Sequence, residues 1–141
     1  MVTLLQKDAA RLEKVQRLAT RMVEGQRGKT YEQRLCDLNL FSLEGRRSRT
    51  DLIETFKVMK GFSGLRPDSL FQVAVDSRTM GHEKKLIKAR SKLMARSHFF
   101  SNRVVNSLNG LPCGMVDLQT VQSFKGALDR QWYEIFPCSE P

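Results

Sequence analysis

Three cysteines, two histidines and no long apolar run leave this 141-residue chain short of the residues on which several common functions rest. Cys36, Cys113 and Cys138 are scattered, with no CxxC or CxxxC pair, which suits a reducing compartment and ordinary thiols rather than a disulfide framework. A tetrahedral zinc site needs paired ligands at short spacing, and His82 and His98 stand far apart and far from every cysteine. No metal or other cofactor is expected. No apolar stretch approaches the roughly 20 residues of a membrane span, so no membrane association is expected. The opening residues, Met1 to Asp8, lose their apolar character before a signal-peptide core could form. An intracellular location, cytoplasmic or nuclear, is the expectation.

Catalytic signatures are missing as well. There is no GxSxG nucleophile turn, no GxxxxGK[ST] phosphate loop, no GxGxxG, and no pair of carboxylates placed to hold a catalytic Mg²⁺. His82 has Glu83 beside it, but neighbours on an extended chain point to opposite faces. Neither histidine has both a nucleophile and an orienting partner, so neither is expected to be catalytic.

What the chain does have is positive charge. It carries 24 Lys and Arg against 15 Asp and Glu, a formal charge of +9. The excess is uneven: residues 78–103 hold eight basic side chains and one acidic, whereas residues 104–141 hold two and four. The dense part is Lys84, Lys85, Lys88, Arg90, Lys92 and Arg96. Alternation at Lys88, Arg90 and Lys92 would set three cations on one face of a strand, where they could meet successive phosphates. The same residues would equally serve as a solvated, charged strand edge that blocks aggregation. A second group, Arg46, Arg47 and Arg49, crowds within one turn, with Asp51 and Glu54 downstream to form internal pairs.

Apolar periodicity and end signals give the expected elements. Leu5, Ala9, Leu12, Val15, Ala19, Met22 and Val23 recur at steps of three and four, an amphipathic helix ended by Gly25 and Gly28. Its outer face, with Lys7, Arg11, Lys14, Arg17 and Arg21, reads as solvated. Thr30 to Gln33 fits a capping box for a short helix to about Asn39. Ser42 would cap a third helix, from Leu43 to Met59, that buries Leu52, Ile53, Phe56 and Met59 and stops at Lys60 and Gly61. A turn around Gly64, Pro67 and Asp68 precedes a short strand through Leu70, Phe71, Val73 and Val75, and the basic segment would pair with it or with itself. Ser97 would cap a helix through Phe99, Phe100, Val104, Val105 and Leu108, stopped by Gly110 and Pro112. A last helix from about Leu118 to Glu134 carries Val121, Phe124, Leu128, Trp132 and Ile135 on one face, and Pro137 ends it. The fold class expected is mainly α: one small domain of about five helices with at most one short β-hairpin. Its parts are 1–61, 62–96 and 97–141, and Gly61 to Pro67 is the candidate hinge.

Five strings stand in order along nearly the whole chain: LEKVQRLATRM (12–22), YEQRLCDLNLFSLEGRRSRTDLIETFKVMKG (31–61), TMGH (79–82), FFSNRVVNSLNGLP (99–112) and SFKGALDRQW (123–132). Together they resemble the C-terminal part of the reading frame of non-LTR, LINE-type retrotransposons, with the jockey-like and chicken-repeat-like reverse transcriptases most similar. The resemblance implies a fragment of an RNA-directed DNA polymerase lying beyond the fingers, palm and thumb. The family's catalytic carboxylates sit in an aromatic-x-Asp-Asp turn of the palm, which this chain lacks, as it lacks the endonuclease domain. Arg17, Arg34, Arg46, Arg47, Arg49, Asp51, Lys57, Gly81, His82, Arg103, Asn106, Asn109 and Pro112 match the family pattern. Met80 and Leu18 stand where the family has Arg, and Leu108 where it has Trp, as a decaying copy would show. Of the matching residues, Arg103, Asn106 and Asn109 read either as caps and turns around Pro112 or as nucleic-acid contacts.

Two functions follow as expectations. One is non-catalytic binding of RNA or DNA through the phosphate backbone by Lys84, Lys85, Lys88, Arg90, Lys92 and Arg96, with Arg46, Arg47 and Arg49 secondary. The other is a structural helical module that braces the missing polymerase domains or another protein, with Phe124, Leu128, Trp132 and Ile135 as an exposed patch.

Overall fold

Local end signals set most helix limits. The computed structural model describes residues 2–75 and 84–135, without the side chains of residues 2–5, 94 and 133–135. Arg78, the TMGH string with His82, and Pro137 and Cys138 lie outside the described residues. The chain divides into two compact units, residues 1–47 and 48–141.

In the first unit, α1 (Val2–Met22) and α2 (Tyr31–Asp37) are joined by a turn in which Gly25 and Gly28 take φ of 79° and 82°. These are left-handed values that glycine adopts without a Cβ penalty. The capping box forms as expected: Gln33 N–H donates to Thr30 Oγ1 at 3.3 Å and Thr30 N–H donates to Gln33 Oε1 at 3.0 Å. At the other end of α2, Asn39 (φ 52°) takes the place of the usual glycine. Its N–H donates to Cys36 O at 3.1 Å and that of Leu40 to Leu35 O at 2.8 Å, which satisfies two orphan carbonyls.

The facing of α1 differs from expectation. Its contacts with α2 and the following loop run through Glu13, Gln16, Arg17 and Thr20, whose spacing of three and four residues makes one polar stripe. Leu12, Val15 and Met22, expected on the buried side, are 56%, 67% and 78% exposed, and Leu18 beside them is 59% exposed. The physical reason is Arg34, which is only 6% exposed. Its guanidinium donates to Thr20 Oγ1 (3.2 Å), Lys29 O (2.6 Å) and Arg17 O (3.4 Å). A buried cation needs such a shell of acceptors, and the polar stripe of α1 supplies two of the three. Tyr31 donates its hydroxyl to Glu13, whose other oxygen accepts from Leu43 N–H at 3.1 Å. Arg17 lies over the Tyr31 ring, 4.8 Å from its centroid, so it is no freely solvated cation.

α3 (Leu43–Lys60) starts at Ser42, whose Oγ accepts from Gly45 N–H at 3.0 Å. It ends at Gly61, φ 80°, where Gly61 N–H donates to Val58 O and Phe62 N–H to Lys57 O. In the second unit, Leu52, Ile53, Phe56 and Val58 of α3 are buried, and Met59 is half-buried. Thr55, also buried, donates its hydroxyl to Asp51 O at 2.7 Å. α4 (Pro67–Leu70) leads into β1 (Gln72–Val73), which pairs antiparallel with β2 (Leu86–Ile87), Gln72 opposite Ile87 and Val73 opposite Leu86. Then come α5 (Met94–Ser97), α6 (Phe100–Asn109), α7 (Cys113–Val116) and α8 (Val121–Ile135). Among the described residues the fold is thus mainly α, five helices of seven residues or more with one two-stranded sheet.

Buried Phe124, Leu128 and Trp132 on α8 face the interior of this unit. Phe56 stacks on Phe124 with centroids 4.3 Å apart, a contact worth about 1 kcal/mol beyond its burial. These three residues therefore form no exposed patch, and the Ile135 side chain lies outside the described residues.

Three other expectations shift. Ser97 closes α5 instead of capping α6, which starts after Phe99. Phe99 O accepts from Asn102 N–H (2.9 Å) and Arg103 N–H (3.0 Å), while Asn102 Nδ2 donates back to Arg96 O (2.9 Å) and holds the turn. α8 begins three residues after Leu118 because α7 takes up residues 113–116 and Thr120 supplies the cap, accepting from Ser123 N–H at 3.1 Å. Finally, Lys88, Arg90 and Lys92 do not lie on a strand, which ends at Ile87. In this register the residues that would face Ala89 and beyond belong to α4, whose Pro67 and helical turn offer no extended backbone to pair.

Candidate nucleic-acid interface

From Lys84 to Arg103 the chain has seven Lys and Arg and no Asp or Glu. Asn109 fixes where this stretch begins. Leu86 N–H donates to Asn109 Oδ1 and Asn109 Nδ2 donates to Leu86 O, each at 2.9 Å, so the amide occupies the β2 edge that β1 leaves open. The segment then runs over the surface as Lys88, Arg90, Lys92 and Arg96, all exposed, to the turn that starts α6. None of these four has an ion-pair partner among the described residues.

The other candidates fall into different surroundings. Lys84 is drawn to Asp117, 3.5 Å away, and borders a small pocket with Phe56, Met59, Lys60 and Leu108. Burial pushes the Lys60 ammonium down from its ordinary value, and the Lys84 charge adds to the shift. Lys85 is half-buried and its carbonyl accepts from Ala74 N–H at 2.8 Å. Arg49 is clamped by Asp129 of α8, Nε to Oδ1 at 2.6 Å and Nη2 to Oδ2 at 2.9 Å. These hydrogen bonds hold Arg49 protonated above its ordinary range. Arg46 and Arg47 are exposed and belong to the first unit, and the other seven candidates belong to the second.

Arg103 and Asn109, which read either as structural or as contacts, hold the fold here. Arg103 makes a bidentate pair with Asp51 of α3, at 2.6 and 2.8 Å, and donates to His98 O at 3.4 Å. The internal pairing expected for the charges of α3 thus reaches other helices as well as Lys57–Glu54 within it (2.6 Å).

One exposed residue of this surface is aromatic. Phe99, expected among the apolar positions of the helix, is 59% exposed, whereas Phe100 is half-buried and meets Phe71 edge-on at 5.9 Å between centroids. Local spacing does not single Phe99 out, since the adjacent Val104 and Val105 of the same helix are both buried. Among the described residues no group of three His, Cys, Asp or Glu side chains is placed to hold a metal ion, and no helix is long and apolar enough to cross a membrane. No protein-family model matches the chain, and neither a curated protein nor a solved structure matches it.

Proposed function

We propose that this chain is a non-catalytic nucleic-acid-binding module, related to the C-terminal, post-thumb part of a non-LTR retrotransposon reverse transcriptase. The observation that carries the reading is the exposed, carboxylate-free run Lys88, Arg90, Lys92 and Arg96. Cations that have no ion-pair partner among the described residues can exchange solvent counterions for phosphates, which gives affinity without sequence preference. The five family-like strings support the parentage, and the absence of an aromatic-x-Asp-Asp turn supports binding without polymerisation. Arg49 and Lys84 move to a minor role in this reading, because Asp129 and Asp117 engage them.

Filter binding of RNA and of duplex DNA against salt tests it. Four phosphate contacts give a slope of log affinity against log salt of about −3 to −4 on duplex DNA. Replacing Lys88, Arg90, Lys92 and Arg96 together by Glu abolishes binding. No affinity at low salt, or affinity unchanged by the four replacements, overturns the proposal.

The bare apolar face of α1, with Leu12, Val15, Leu18 and Met22, favours a second reading, a helical module that binds a protein partner. Salt-insensitive self-association without nucleic-acid binding would select it.

A further inference from the structure

We infer that the nucleic acid taken by this surface is single-stranded, with Phe99 as the platform on which one unpaired base stacks. The inference rests on the nucleic-acid reading above and adds the class of ligand. A duplex offers phosphates at its surface and keeps the faces of its bases inside, so cations alone suffice to hold it. A single strand exposes base faces too, and proteins that hold it combine cations along the backbone with aromatic rings beneath the bases.

Phe99 meets both conditions. Phe99 is 59% exposed and lies between Arg96 and Arg103 in sequence. No other ring and no cation covers it among the described residues. Its backbone is held on three sides: its N–H donates to Arg96 O at 3.2 Å, and its carbonyl accepts from Asn102 and Arg103 N–H. Arg103, the next cation along the chain, is engaged by Asp51 and His98 O. A ring on a fixed backbone loses little further freedom when a base stacks on it. Arg96 precedes it and Lys92 and Arg90 lie upstream, so a strand stacked at Phe99 has cations for its neighbouring phosphates.

The test uses the full chain and fluorescence anisotropy with end-labelled oligouridylate, oligothymidylate of equal length, and a DNA duplex of the same total charge. Stacking of one base is worth about 1–3 kcal/mol, so Phe99→Ala weakens both single strands by about 5- to 150-fold. Phe99→Trp retains the affinity, and both variants bind the duplex as the parent chain does. Equal strength for uridylate and thymidylate identifies stacking, whereas loss confined to one of them identifies sugar or base recognition and overturns a sequence-tolerant platform. Equal weakening of single strand and duplex by Phe99→Ala, or none, overturns the inference while leaving the cationic surface standing. Absence of all binding by the parent chain at low salt overturns both.

Discussion

Asn109 completes the β2 edge for Leu86: one side-chain amide accepts from the Leu86 N–H and donates to the Leu86 carbonyl, both at 2.9 Å. Leu86 is buried at a two-stranded sheet too small to satisfy both of its own edges. Residues 23 apart are joined in this way, and the basic segment departs from that point.

Asn109→Leu leaves the Leu86 N–H and carbonyl without partners, and a buried orphan pair costs about 2 kcal/mol. Asn109→Asp keeps the acceptor but loses the donor, so it is destabilised less. Chemical denaturation ranks the parent chain as most stable, Asn109→Asp next and Asn109→Leu last, and hydrogen exchange finds the Leu86 amide losing protection first.

The two faces of α1 respond in opposite ways. Leu12→Glu and Val15→Glu change stability by no more than about 0.5 kcal/mol, because both side chains are already exposed. Arg34→Ala removes the buried guanidinium's hydrogen bonds to Thr20 Oγ1, Lys29 O and Arg17 O and costs about 2 kcal/mol. Exchange rates in α2 distinguish them, and a large effect of Leu12→Glu would contradict the observed facing.

Arg103–Asp51 and Arg49–Asp129 are bidentate clamps with partly exposed arginines. Solvent screening limits each to a coupling of about 0.5–1 kcal/mol in a double-mutant cycle, falling as salt rises. Arg49→Lys loses the second bond, since an ammonium cannot match the carboxylate fork. In filter binding, Arg49→Ala leaves nucleic-acid affinity near that of the parent chain, whereas Arg90→Ala reduces it.

Burial, followed by the neighbouring Glu13, raises the pKa of Tyr31 above its ordinary value of about 10. The folded chain therefore holds a proton that the unfolded chain has already released. The resulting stability is complete below about pH 10 and is lost as pH rises from there through the folded pKa. Tyr31→Phe cannot ionise, so from about pH 10 upward its stability falls less steeply than that of the parent chain. Denaturation midpoints at several alkaline pH values, with tyrosinate absorbance as the ionisation readout, measure the difference.

Signals confined to a few neighbouring residues were readable in the sequence. Thr30 and Gln33 form their box, Gly61 stops α3, and the five longer helices lie close to their expected spans, because caps and 3.6-residue periodicity act within one or two turns. The cluster of cations was visible for the same reason, as a run along the chain. What those elements face depends on contacts between residues far apart in the chain. Arg34 turns the polar stripe of α1 inward, Asp129 takes Arg49 from 80 residues away, and Asn109 finishes a strand that β1 cannot. Each outcome satisfies a buried or partly buried polar group with a partner remote in sequence, and local spacing carries no record of such a partner.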